Sequence, residues 1–141
     1  MATSYPFSHI AVIGMGLIGT SIVHAAKYHN LPVTFAAYDN NPDVRAEAAD
    51  LLSHIKITTT LQQAVEDAEL VILAVPVGVM EQVIKDIAPY LRPGCVITDT
   101  GSTKRSVIRD VLPFVPEACN FIPGHPLAGT EFSGPAAGFA S

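Results

Sequence analysis

One histidine in this chain stands where a proton could be moved. His125 lies in GHPLAGTEFSG, among Pro123, Gly124, Pro126, Gly129, Gly134 and Pro135. So many breakers leave neither a helical nor a strand pattern. An imidazole titrates at about pH 6.5, so it can take a proton from a hydroxyl near neutrality. A loop histidine bonded to backbone is the plainer role for the same residue. Upstream, DTGSTK (Asp99–Lys104) sets Ser102 in a second loop. Its hydroxyl can hold an imidazole or a substrate oxygen, and it can equally cap the helix that follows. The other histidines, His9, His24, His29 and His54, fall at a strand start, on a helix or near a helix end. Surface and capping roles account for those four.

A second group of residues could hold an anion. The run HIAVIG passes directly into GMGLIG, with glycines at 14, 16 and 19. After a strand and at the start of a helix, each glycine has a separate task. Gly14 allows a tight turn, Gly16 lets backbone approach a pyrophosphate, and Gly19 lets helix and strand pack closely. The N–H groups around Leu17 and Ile18, at the helix start, would then face phosphate charge. Asp39 ends the next apolar run, about twenty residues further on, where a carboxylate can accept from the ribose hydroxyls of a dinucleotide. It would repel a 2′-phosphate, and Asn40, Asn41, Pro42 and Asp43 follow it with no immediate cation. The expected cofactor is therefore NAD rather than NADP. Val75 and Pro76, in AVPVGV, follow a later strand and would either border that cofactor or simply pack the strand end.

These residues need a scaffold, and the hydrophobic pattern supplies one. Apolar runs at His9–Gly14, Val33–Asp39, Glu69–Pro76, Cys95–Thr100 and Cys119–Pro123 alternate with helical periods, and Lys56–Thr58 suits a short edge strand. The helical segments are Leu17–His29, one begun by Asn41 and Pro42, one begun by Thr60 with Gln63 three residues on, Met80–Tyr90, and Ser106–Leu112. The order is strand–helix five times over, closed by a sixth strand. Continuous apolar strands imply burial on both faces. Right-handed crossovers then give an α/β fold: a Rossmann-type, doubly wound, mostly parallel sheet with helices on both faces. The loops holding Ser102 and His125 leave the carboxyl edge of that sheet, beside the glycine turn.

The bulk numbers agree with one such domain over residues 1–141. Apolar residues make up 49% and charged residues 15%, and 8 basic against 13 acidic residues give a formal charge of −5. No basic patch suggests nucleic acid. The longest apolar stretch, Leu70–Met80, is too short for a bilayer and holds Pro76 and Gly78. The N-terminal residues lack the pattern of a signal peptide, so a soluble cytoplasmic protein is expected. Cys95 and Cys119 have neither CxxC nor metal spacing. Buried reduced thiols are expected, and no metal.

GMGLIGTS, DTGSTK and above all GHPLAGTEFSGP resemble the prephenate/arogenate (cyclohexadienyl) dehydrogenase family of tyrosine biosynthesis. The likeness runs from His9 to the end of the chain. The first motif is shared by many dehydrogenases, whereas the GHPLAGTE segment is far more specific. The resemblance implies NAD-dependent oxidative decarboxylation of prephenate or arogenate, with His125 bonding and polarising the ring hydroxyl. It implies that Ser102 orients that group and the nicotinamide. Thr130 and Glu131 would border the substrate, Glu131 either as a gate or as a solvated loop acid. Members resemble a two-domain design in which a helical second domain forms a homodimer and supplies an arginine to the substrate. Arg45, Arg92, Arg105 and Arg109 all lie outside the His125 loop. The chain is therefore expected to be the nucleotide-binding half, able to bind NAD but poorly active alone. Two other readings stay open: a free-standing NAD-sensing domain, and a β-hydroxyacid-type dehydrogenase, whose DAPVSGG-like segment this chain lacks.

Overall fold

The computed structural model describes residues 7–101 and 104–124, Lys104 by its backbone alone. Among these residues six strands form one sheet: β1 (His9–Ile13), β2 (Thr34–Tyr38), β3 (Lys56–Ile57), β4 (Leu70–Leu73), β5 (Val96–Asp99) and β6 (Asn120–Phe121). Their spatial order is β3-β2-β1-β4-β5-β6, and all five pairings are parallel. Five helices make the crossovers: α1 (Leu17–Tyr28), α2 (Pro42–Leu51), α3 (Leu61–Val65), α4 (Val77–Ile87) and α5 (Lys104–Val111). The doubly wound α/β architecture read from the sequence is the one observed.

The alternation of side chains along β1 shows why the sheet is covered twice. Ile10 and Val12 point into one layer, with Ile22, Val23 and Ala26 of α1 and Ala48 of α2. Ala11 and Ile13 point into the other, with Ala64 of α3, Met80, Ile84 and Ile87 of α4, and Val107 and Val111 of α5. Met80, Ile84 and Ile87 are fully buried. Each such side chain contributes about 1.5–3 kcal/mol of burial free energy.

Helix starts follow their local chemistry. Asn41 Oδ1 accepts from Asp43 N at 2.8 Å, with Pro42 in the first turn. Thr60 Oγ1 accepts from Gln63 N at 3.1 Å. The returning Gln63 side chain accepts from the backbone N–H of Thr59, at 3.3 Å, rather than from that of Thr60. Cys95 and Cys119 are buried free thiols, as expected.

Several boundaries moved. The strand expected to run to Pro76 stops at Leu73, because its partner β1 ends at Ile13, opposite Leu73, and turns away. The helix expected from Met80 begins at Val77, with Pro76 at the N-cap, and continues past Ile87 into a 3-10 turn, Ala88–Tyr90. α5 likewise starts at Lys104 and passes into a 3-10 turn at Leu112–Phe114.

Candidate functional site

Adjacent β1 and β4 lead to opposite sides of the sheet, with β2 and β3 beyond one and β5 and β6 beyond the other. Ligands of open α/β sheets bind at the carboxyl end of such a switch point. The glycine turn occupies that place. Gly14 has φ +104°, and a Cβ added there would stand 2.5 Å from the Ala74 carbonyl oxygen and 3.0 Å from Val75 Cγ1. Its N–H donates to Tyr38 O at 2.7 Å. A Cβ on Gly19 would run into the Gly14 carbonyl, so only glycine lets α1 sit this close to the turn. Gly16 differs, since nothing lies within 4 Å of where its Cβ would be. That open space is where a diphosphate could approach backbone.

Gly16 is the N-cap of α1 and offers no side-chain acceptor, and no acidic residue lies in the first turn. The first N–H groups of a helix have no intrahelical partner. Those near Leu17 and Ile18 are thus left for an anion, assisted by the helix dipole. Both side chains are unusually exposed for their type, Leu17 at 86% and Ile18 at 42%. Across the switch point, Val75 is half-buried against the turn and Pro76 is exposed at the start of α4. The structure therefore brings Gly14, Gly16, Leu17, Ile18, Gly19, Val75 and Pro76 to one edge.

Asp39 joins them from the end of β2. Its Oδ2 accepts from Met15 N at 2.9 Å, inside the glycine turn, and its Oδ1 accepts from Asn41 N at 2.9 Å. A carboxylate has about four acceptor positions. Asp39 can thus brace the turn and still receive hydroxyl donors. Sequence reasoning missed a neighbour. The first turns of α2 carry Arg45 back to the strand end, where Nη1 donates to Asp39 O at 2.7 Å and the guanidinium lies 5.6 Å from the centre of the Tyr38 ring. The separation of six residues hid it, although a helix starting at Pro42 was foreseen.

A second omission lies at the end of β5. Asp99 is a buried carboxylate, 4% exposed. It accepts from Gly101 N through Oδ2 at 2.7 Å and from Gly124 N through Oδ1 at 2.9 Å. Thr100 N also donates to Leu73 O at 3.1 Å, fastening this loop to the end of β4. The signal was present in the sequence: an acid closing an apolar strand two residues before a glycine. Ser102, His125, Thr130 and Glu131 lie outside the described residues, of which Gly101 and Gly124 directly precede Ser102 and His125. A hollow of about 300 Å³ lined by Lys27, Asn30, Thr34 and His54, among others, is bordered by none of the candidate site residues. The His54 imidazole there is shifted down from its ordinary value, by burial first and then by the charges of Lys27 and His24.

Comparison with known proteins agrees with this geometry. Residues 22–141 match the family model described as prephenate dehydrogenase, nucleotide-binding domain. The chain is 46% identical over 134 residues to the cyclohexadienyl dehydrogenase of Zymomonas mobilis, covering 95% of this chain and 45% of that protein. It is 34% identical over 127 residues to the prephenate dehydrogenase of Lactococcus lactis, covering 89% and 35%. Among solved structures, prephenate dehydrogenase from A. aeolicus in complex with hydroxyphenyl propionate and NAD+ superposes with a TM-score of 0.78 at 29% identity, over 94% of this chain and 46% of that one. The chain thus spans less than half the length of these relatives. The β-hydroxyacid-type alternative is not favoured. With a family model matched over most of its length and a close relative aligned along nearly all of it, the chain belongs to the prephenate dehydrogenase family, as its nucleotide-binding domain.

Proposed function

We propose that this chain is the NAD-binding half of an enzyme that oxidises and decarboxylates prephenate, arogenate or both, in tyrosine biosynthesis. The observation that carries the cofactor assignment is the pairing of an open Gly16 with the Asp39 carboxylate 2.9 Å from Met15 N, at one edge of the sheet. The two features suit the two ends of an adenosine diphosphate: uncapped N–H groups for the phosphates, an acceptor for the ribose diol. NAD is preferred over NADP, because a 2′-phosphate would meet the Asp39 carboxylate while Arg45 is already bonded to the Asp39 carbonyl. Bound NAD would supply a hydride acceptor for the ring carbon that bears the hydroxyl.

The chain's own residues supply the rest. His125 bonds the ring hydroxyl, takes its proton as hydride leaves the carbon, and returns it to the oxygen when carbon dioxide departs, a role that suits an imidazole. Ser102 orients the hydroxyl and the nicotinamide carboxamide. Thr130 and Glu131 border the substrate. Departure of the ring carboxylate as carbon dioxide leaves an aromatic ring, which makes the oxidation strongly favourable. The substrate carries two carboxylates, and a guanidinium is the best bidentate partner for one of them. Arg45 is held at the opposite, adenosine end, and Arg109 is paired with Asp110. A second, helical domain of the kind the family resemblance implies would supply that arginine and form a homodimer.

The test is His125→Asn in the complete protein. Turnover should fall by about 10²–10⁴-fold, the usual contribution of a general base, with NAD affinity retained by calorimetry. Turnover within a few-fold of the parent enzyme would refute the assignment.

A further inference from the structure

Asp99 joins two stretches of chain that are 25 residues apart and leave the sheet from neighbouring strands. Its bond to Gly101 is local, a turn that an aspartate often closes with the residue two positions on. The bond to Gly124 is not local and serves no turn. It fixes the backbone leaving β6 immediately before His125. The two glycines make that approach possible. A Cβ on Gly124 would run into the Asp99 carbonyl, and one on Gly101 would stand 2.9 Å from Val107 Cγ2 and 3.1 Å from Asp99 Oδ2. Val77, the first residue of α4, closes the same space, with Cγ2 3.0 Å from that position. The carboxylate is thus set among α4, α5 and the ends of β5 and β6. Burying a charge is costly unless it is well bonded. Here both described bonds go to the backbone of chain that leads into proposed catalytic loops.

We propose that Asp99 is the positioning residue of this active site: it holds the exit of β6 against the exit of β5 through Gly124 and Gly101, and so sets where His125 enters the site. The proposal rests on the assignment of His125 above. It assigns Asp99 no contact with substrate or cofactor. Rigid backbone anchorage matters because catalytic geometry tolerates little error: a misplacement of about 1 Å can lower rates by about 10²-fold.

The experiment compares Asp99→Asn, Asp99→Ala, His125→Asn and the double variant Asp99→Asn/His125→Asn in the complete protein. Asparagine keeps one acceptor oxygen and presents an NH2 to the second N–H. Asp99→Asn should lower kcat by about 10- to 100-fold, with NAD affinity and substrate KM within about threefold of the parent. Asp99→Ala should lower it further. In the His125→Asn background Asp99→Asn should cost almost nothing more, because residues acting through one group are not additive. An equal loss in both backgrounds would overturn the proposal, as would an unchanged kcat in Asp99→Asn. Should Asp99→Asn lose NAD binding, Asp99→Glu carries the same comparison, since it keeps the charge and displaces the carboxylate by one methylene. If His125→Asn itself retains turnover, the assignment of the histidine fails. A silent Asp99→Asn beside a dead His125→Asn sinks only the role of Asp99.

Discussion

Replacing Asp39 with alanine separates two jobs that one carboxylate performs. Toward the protein it accepts from Met15 N and Asn41 N, each at 2.9 Å. Toward the cofactor it keeps acceptor positions for a ribose hydroxyl. A hydrogen bond to a charged group contributes about 1.5–3 kcal/mol. Its loss should therefore raise the Kd for NAD by about 10- to 150-fold. NADP should behave oppositely. Removing the negative charge lifts a repulsion from the 2′-phosphate, while Arg45 remains at the Asp39 carbonyl, 2.7 Å away. NADP affinity should hold or rise, so the preference for NAD shrinks by at least the factor lost by NAD. The assay is kcat/KM with each cofactor in the complete protein, with calorimetric Kd values alongside. Asp39→Asn is the control for the first job, because its one remaining oxygen can still accept from Met15 N. NAD affinity unchanged within twofold in Asp39→Ala would refute the ribose role. An equal loss of both cofactors would show instead that the glycine turn had shifted.

Two glycines in the same turn should respond differently to a methyl group. Gly14→Ala forces a left-handed backbone, costing about 1–2 kcal/mol, and adds the collision with the Ala74 carbonyl. Its urea midpoint should fall, with the slope unchanged. Gly16→Ala meets nothing within 4 Å. It should fold normally and lose NAD affinity, and a matching loss of stability would contradict the open space inferred there. The Cys95 thiol is pushed up to about 12, by burial first and then by Cys119, against a smaller opposing effect of Arg92. At pH 8 roughly one thiol in ten thousand is then ionised, and the thiolate is the reactive form. Native protein should resist iodoacetamide at that pH and label fully at Cys95 in urea; labelling at the rate of an exposed thiol would contradict the burial.

Local chemistry made much of this fold legible. Asn41 before Pro42, and Thr60 before Gln63, mark helix starts because the cap is made by the residues themselves. The glycine turn was legible for the same reason, since the φ of Gly14 and the closeness of Gly19 allow no other side chain. The start of α4 was less clear. Val77, Gly78 and Val79 are poor helix formers, and the helix forms because Met80, Ile84 and Ile87 bury one face against the sheet. The end of β4 was hidden too, since a strand lasts only as long as its neighbour, and β1 turns away after Ile13.

The sequence by itself named the candidates for binding a dinucleotide and for moving a proton. Those properties belong to residue type and short spacing: glycines in a turn, an acid at a strand end, an imidazole in a broken loop. Tertiary structure alone decided how the glycine turn and the acid meet. The strand order put β4 beside β1 and β6 beside β5. It set Arg45 on the carbonyl of Asp39 and Asp99 on the N–H of Gly124. Neither contact has a local signature, because each depends on where separate segments stop in space.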